Sequence, residues 1–186
     1  MDIGCEGEAE QVKHLELFVR WQGAEEKWAR ILAELTAGKK ETHWMWYVFP
    51  QMRGLARSRK AFVFGIVDIE EARAYLAHPL LGSRLRVCSE KLLAHTNKTA
   101  VEIFGELDAM KLRSCMTLFA AASEECSVFH KVLQQFFGGK KDPLTEGLLG
   151  GRVVDVTPLK YQAGGRAHFM QEYAGEFFTV QSCENL

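Results

Sequence analysis

Apolar residues recur at three- and four-residue steps from Val12 almost to Leu149, in segments cut repeatedly by glycine, proline or a capping side chain. Such a pattern puts one apolar stripe on each of many short helices, and each stripe needs other helices to cover it. Val12, Leu15, Phe18, Val19 and Gln22 form the first stripe. Trp28, Ile31, Leu32 and Leu35 form the second, with Gly23 between them and Gly38 placed as a C-cap. Asp68 and Glu71 have the spacing of a capping box, and so do Thr99 and Glu102. Pro79 suits the first turn of a helix whose stripe is Leu81, Leu85, Cys88 and Leu92.

Asp108 stands as the cap of a helix through Leu112, Cys115, Met116 and Phe119. Val128, Phe129, Val132, Leu133, Phe136 and Phe137 make a broad apolar face that stops at Gly138 and Gly139. Asp142 and Pro143 open a last short helix. These signals predict an all-α fold: a compact, single-domain bundle of about seven to nine short helices over residues 12–149. Residues 150–186 read as a C-terminal extension, partly ordered or packed on the domain, with a β-like run at Val153–Val156.

A chain of 186 residues with 47% hydrophobic and 25% charged residues can bury one real core. Its formal net charge of −1 argues against non-specific coating of nucleic acid, though not against a local basic site. The apolar runs are too short to span a bilayer, and the acidic N-terminus lacks a signal core. Five cysteines without a CxxC pair, and six dispersed histidines, predict reduced thiols, a cytoplasmic setting, no metal and no cofactor.

One stretch is awkward as plain core. His43–Gln51 is aromatic without a clean period, and Pro50 biases Phe49 toward an extended conformation, so any helix there ends by Val48. Between Lys39 and Lys60 stand six basic residues and one acid, Glu41. Aromatics beside local positive charge suit a phosphate-bearing aromatic ligand or a single-stranded nucleic acid. Trp44, Trp46 or Tyr47 would stack, with His43, Gln51 and Arg53 as polar contacts; a buried aromatic connector is the plainer alternative.

Lys111, Arg113, Ser114 and Thr117 likewise place polar groups on a helix that is otherwise apolar. Lys111 and Ser114 reverse the Ser-x-x-Lys order of some acyl enzymes, without the rest of that machinery. Gly82 in a first helical turn, with Arg84 and Arg86 opposing the dipole, suggests either close helix packing or a nearby negative group such as Glu70, Glu71 or a ligand.

Together His43–Gln51, the run Glu71-Ala-x-x-Tyr-Leu-x-His-Pro-x-Leu-Gly-x-Arg-Leu85, Ile103-Phe-Gly105 and Lys111-Leu-Arg-Ser-x-Met-Thr-Leu-Phe119 resemble domain-of-unknown-function family 1810. The resemblance runs from about Val12 to Leu149 and implies a small, mainly helical protein. It carries over no reaction and no catalytic residue. Cys115 stands where the resemblance expects a serine.

The leading functional expectation is a cleft for a small anionic, nucleotide-like ligand. His43, Trp46 and Gln51 would lie there beside Lys111, Arg113 and Ser114. An enzymatic form would hydrolyse an N-glycosidic or ADP-ribose-like compound, with Glu41 or Asp108 supplying the carboxylate. The competing expectation is an interaction module that docks a protein or nucleic acid partner through the same surface. Oligomeric state is not legible.

Overall fold

A computed structural model describes residues 4–56 and 58–151. Ten helices succeed one another in it: α1 (Gly4–Gln22), α2 (Glu25–Ala37), α3 (Met45–Val48), α4 (Arg59–Val63) and α5 (Ile69–Ala77) come first. They are followed by α6 (Pro79–Leu93), α7 (Ala100–Phe104), α8 (Glu106–Ala122), α9 (Val128–Phe137) and α10 (Pro143–Leu149). Extended structure among the described residues is limited to one isolated parallel bridge between Met52 and Ile66. The fold is all-α. The helix without a counterpart in the sequence pattern is α4, a single turn with no room for a repeat. The β-like run at residues 153–156, with the rest of the extension beyond residue 151, lies outside the described residues, as does Arg57.

The helix ends follow their capping chemistry. Gly38 closes α2 in the left-handed conformation, φ 63°, donating its N–H to the Glu34 and Leu35 carbonyls. Thr99 and Glu102 form a reciprocal capping box on α7, and Asp142 accepts from the Thr145 N–H on α10. Asp68 accepts from the Glu71 N–H, but the Glu71 carboxylate turns inward instead of completing a box. One start is corrected. Gly105, at φ 74°, makes the break between α7 and α8, so α8 begins at Glu106 and Asp108 is a residue of its first turn, not its cap.

The core is organised around α8, which packs on α5, α7, α9 and α10. Leu112, Cys115, Met116, Leu118 and Phe119 are fully buried there. An aromatic chain crosses the bundle: Phe18 meets Tyr75 edge-on at 5.3 Å, Tyr75 meets Phe119 at 5.3 Å, and Phe119 meets Phe129 at 5.8 Å. Each such pair contributes about 0.5–1.5 kcal/mol beyond the area it buries.

The α5–α6 corner resolves the question of Gly82 in favour of close packing. His78 caps α6, its Nδ1 accepting from the Leu80 and Leu81 N–H groups. Arg84 needs no acid: it lies 4.2 Å over the Trp28 ring and donates to the Gln22 carbonyl. Arg86 donates to the Leu76 carbonyl at the end of α5. Glu70 is paired with Arg73 and Glu71 with His14, so the negative neighbour expected for these arginines is replaced by a ring face and carbonyls.

Candidate functional site

The aromatic stretch is fixed from below by one carboxylate. Glu34, on α2 and 8% exposed, accepts from the Glu41 N–H at 2.8 Å, the Thr42 N–H at 3.1 Å, the Thr42 hydroxyl at 2.5 Å and Trp44 Nε1 at 2.7 Å. Burial alone would raise its pKa. Bonds from the Thr42 hydroxyl, the two backbone N–H groups and Trp44 outweigh that and hold it below the usual carboxylate range. The clamp pulls Trp44 into the core against Phe49 and Phe104, so Trp44 is a pillar and not a ligand wall. The single turn α3 then ends at Val48, ahead of Pro50. Tyr47 is held to α1, its carbonyl accepting from Gln22 Nε2 at 2.5 Å.

This arrangement opens a cleft of about 300 Å³. Trp21 of α1, His43, and Trp46 and Tyr47 of α3 line it together with Ser58, Arg59, Lys60, Val63 and Phe64 from α4 and its flanks. Trp21 lies 5.6 Å from Tyr47 and meets Phe64 edge-on at 5.5 Å. The Tyr47 hydroxyl is pushed up to about 12 by burial and by the Glu34 charge, so it stays protonated at neutral pH. His43 and Lys60 have no hydrogen-bond or ion-pair partner among the described residues. No carboxylate lines the cleft among those residues.

Two ties hold α4 in place. The Arg53 N–H donates to the Ile66 carbonyl at 2.7 Å, and the Ile66 N–H donates to the Gln51 carbonyl at 2.9 Å. They close the segment carrying α4 at its base. Beneath it, His14 Nε2 donates to the Val63 carbonyl at 2.8 Å while Nδ1 meets Glu71 Oε1 at 2.5 Å. The other Glu71 oxygen accepts from the Val67 N–H at 2.6 Å. Burial would raise the Glu71 pKa, but the hydrogen bond and charge of His14 and the Val67 N–H hold it low. One buried pair thus joins α1, the end of α4 and α5.

The second polar group expected at the cleft reaches it only in part. Lys111 Nζ stands 4.2 Å from the centre of the Trp46 ring, so these two do meet. Lys111 is not in the cleft lining; its ammonium is bonded to Asp108 Oδ1 at 2.5 Å. Lys40 bonds the other Asp108 oxygen at 2.7 Å and lies 5.4 Å over Trp44. Burial would raise the Asp108 pKa, and the hydrogen bonds and charges of Lys111 and Lys40 lower it instead.

Arg113 turns elsewhere. It donates to the Lys140 and Lys141 carbonyls, and Thr117 accepts from the Asp142 N–H, so both hold the turn between α9 and α10. Ser114 is buried and donates to the Met110 carbonyl one turn back. With Lys111 committed to Asp108, no Ser–Lys pair forms. Gln51 and Arg53 serve the cleft through their backbones, and the Arg53 guanidinium lies 4.8 Å from the Phe62 ring. Glu41 is exposed and paired with Lys39 at 3.0 Å. Neither carboxylate considered for catalysis borders the cleft.

Trp21 and Phe64 were not singled out from the sequence. Trp21 carried a signal: it falls off the Leu15–Phe18–Gln22 stripe of its helix, where a large apolar ring needs another reason to be. Arg59 and Lys60 were present only as part of the basic run. Among the described residues no group of three or more His, Cys, Asp or Glu side chains could hold a metal ion. No described helix is long and apolar enough to cross a membrane.

Residues 12–149 match the model of a family described as a protein of unknown function (DUF1810). Among solved structures, the chain is similar to the conserved hypothetical protein Rv1873 of Mycobacterium tuberculosis, at 43% identity and a TM-score of 0.71. That match covers 74% of this chain and 97% of the mycobacterial one. No protein of curated function matches the chain.

Proposed function

The chain belongs to the DUF1810 family of proteins of unknown function, and from that premise we propose that its cleft binds a small anionic ligand bearing a flat ring. The observation that carries this reading is the meeting of Trp21, Trp46 and Tyr47 in one concave site with the His43 ring and the Lys60 ammonium, which have no hydrogen-bond or ion-pair partner among the described residues. Aromatic faces accept a stacked ring, and the Lys60 ammonium and an imidazole N–H can donate to an anion. A volume of about 300 Å³ is at the small end of ligand sites and fits a mononucleotide better than a dinucleotide.

Hydrolysis of an N-glycosidic bond would need a carboxylate at the reacting centre. With none in the cleft lining among the described residues, binding is the better supported form of the proposal. The free thiols of Cys88, Cys115 and Cys126 fit a reducing, cytoplasmic setting.

The second reading is a docking module for a protein or nucleic acid. It is favoured by Leu107 and Met110, which stand 75% and 66% exposed on α8 beside Lys111 in the sequence. Isothermal titration and thermal shift against nucleoside monophosphates, dinucleotides and sugar phosphates separate the two readings. At 100 times its dissociation constant, a bound mononucleotide stabilises the fold by about 2.7 kcal/mol. Lys60→Ala should weaken that binding about tenfold, the weight of one charge-assisted hydrogen bond. Silence across the whole panel would leave the docking module as the surviving reading.

A further inference from the structure

We propose that Lys27 and Lys111, neither of which lines the cleft, are specificity-determining residues that tune it against cationic rings and in favour of anionic ones. The inference rests on the ligand-binding reading and adds the sign of the charge that the aromatic wall itself selects. Lys111 Nζ lies 4.2 Å from the Trp46 ring centre, and Lys27 Nζ lies 5.2 Å from that of Trp21 and 5.9 Å from that of Tyr47. All three rings line the cleft, so each already serves a cation of the chain itself.

An aromatic ring attracts a cation through its quadrupole. A ring with an ammonium already over it has that attraction partly spent, and the ammonium repels a second cation. The same charge draws a phosphate or an electron-rich base. An aromatic enclosure without such lysines would suit quaternary ammonium groups. With them it disfavours that class.

Lys111 is the better placed of the two. Asp108 fixes its ammonium at 2.5 Å, and Lys40 occupies the other carboxylate oxygen, so the trio keeps one net positive charge beside the Trp46 and Trp44 rings. Lys27 is exposed and more strongly screened. A unit charge about 8 Å from a ligand, through a medium between protein surface and water, changes affinity by about two- to thirtyfold.

The test uses the full chain and three probes: adenosine monophosphate, neutral adenosine and the cationic ring N-methylnicotinamide. Dissociation constants are measured for the parent protein, Lys111→Met, Lys27→Met and Lys111→Arg, with folding checked by circular dichroism. Lys131→Met, on α9 away from the cleft lining, controls for net charge. The expected result is opposite motion. In Lys111→Met the monophosphate binds three- to tenfold more weakly, the cationic ring binds more tightly by a similar factor, and adenosine hardly changes. Lys111→Arg restores the parent order. A Lys111→Met protein that loses affinity for all three probes alike would show a purely structural lysine, overturning this inference while leaving the binding site intact. Unchanged affinities in both methionine variants would overturn it equally. A parent protein that binds none of the probes sinks the ligand-binding reading first, and this inference with it.

Discussion

A β-carbon built on Gly82 would lie 2.0 Å from the carbonyl oxygen of Leu76, because the end of α5 presses against the first turn of α6. Helix propensity alone would favour alanine at this position by about 1 kcal/mol. The overlap is with backbone, which cannot swing aside, and overpacking of this kind costs about 1–3 kcal/mol or more. We therefore expect Gly82→Ala to lower the urea midpoint. A midpoint that rises would mean the corner can open to admit a methyl group.

Glu71→Ala should be among the most destabilising single changes, by about 3–5 kcal/mol, because it strands the His14 ring and the Val67 N–H in the interior. Glu71→Gln retains an acceptor and should cost clearly less. Urea unfolding of the two variants checks the order, and equal losses would argue against a specific role for the carboxylate oxygens.

Acid should unfold the protein chiefly through the depressed carboxyls that lie off the open surface. Glu34, Glu71 and Asp108 all have folded pKa values below their ordinary ones. Such groups stabilise the fold above the unfolded value, about 4, and that contribution is lost as pH falls through the folded values. Urea midpoints should stay level from neutral pH to about 5 and drop steeply below about 4. Glu34→Gln and Asp108→Asn should each flatten the drop. Stability that increases on acidification would reverse the sign assigned here.

Glu34→Ala links stability to the cleft. It leaves the Trp44 indole N–H and two loop N–H groups without their acceptor, a loss of about 2–4 kcal/mol. The loop that carries His43 would lose its anchor, so affinity for a mononucleotide should fall although no lining residue has changed. Calorimetry on the folded fraction tests this. Full affinity in a destabilised variant would detach the loop from the site.

A chain ending after Gly151 should still unfold cooperatively. The expectation is motivated by the match, which spans 97% of the mycobacterial protein but 74% of this chain, so that protein has no counterpart to the remainder. Urea unfolding of the shortened chain, compared with the full one, decides it; a non-cooperative transition would make residues 152–186 part of the domain.

The helices were legible where side-chain spacing or a cap reports locally. Gly38, Thr99, Glu102 and Asp142 do what their positions announce. Asp108 misled because its neighbour Gly105 takes a positive φ and starts α8 earlier, leaving the carboxylate to two lysines. The cleft was only half legible. His43 and Trp46 were marked by the odd composition around them, whereas Trp44 is drawn inward by Glu34, ten positions away on another helix. Arg113 looked out of place on α8 because its partners are two backbone carbonyls that carry no sequence signature. Pairings of that kind depend on tertiary packing that a one-dimensional pattern does not encode.

The paired backbone bonds between Gln51, Arg53 and Ile66 divide the cleft between two regimes of change. Its rings sit on helices whose neighbours are core residues, where a substitution is answered by the whole bundle. Its basic edge, Ser58 to Lys60, hangs on a segment sealed off at the neck. Phe62, Val63, Phe64 and Ile66 of that segment belong to the core, so only its less buried edge, Ser58 to Lys60, is open to exchange of charge while the bundle folds as before. Charge at the mouth of the cleft can therefore change at that edge long before the shape of the bundle does.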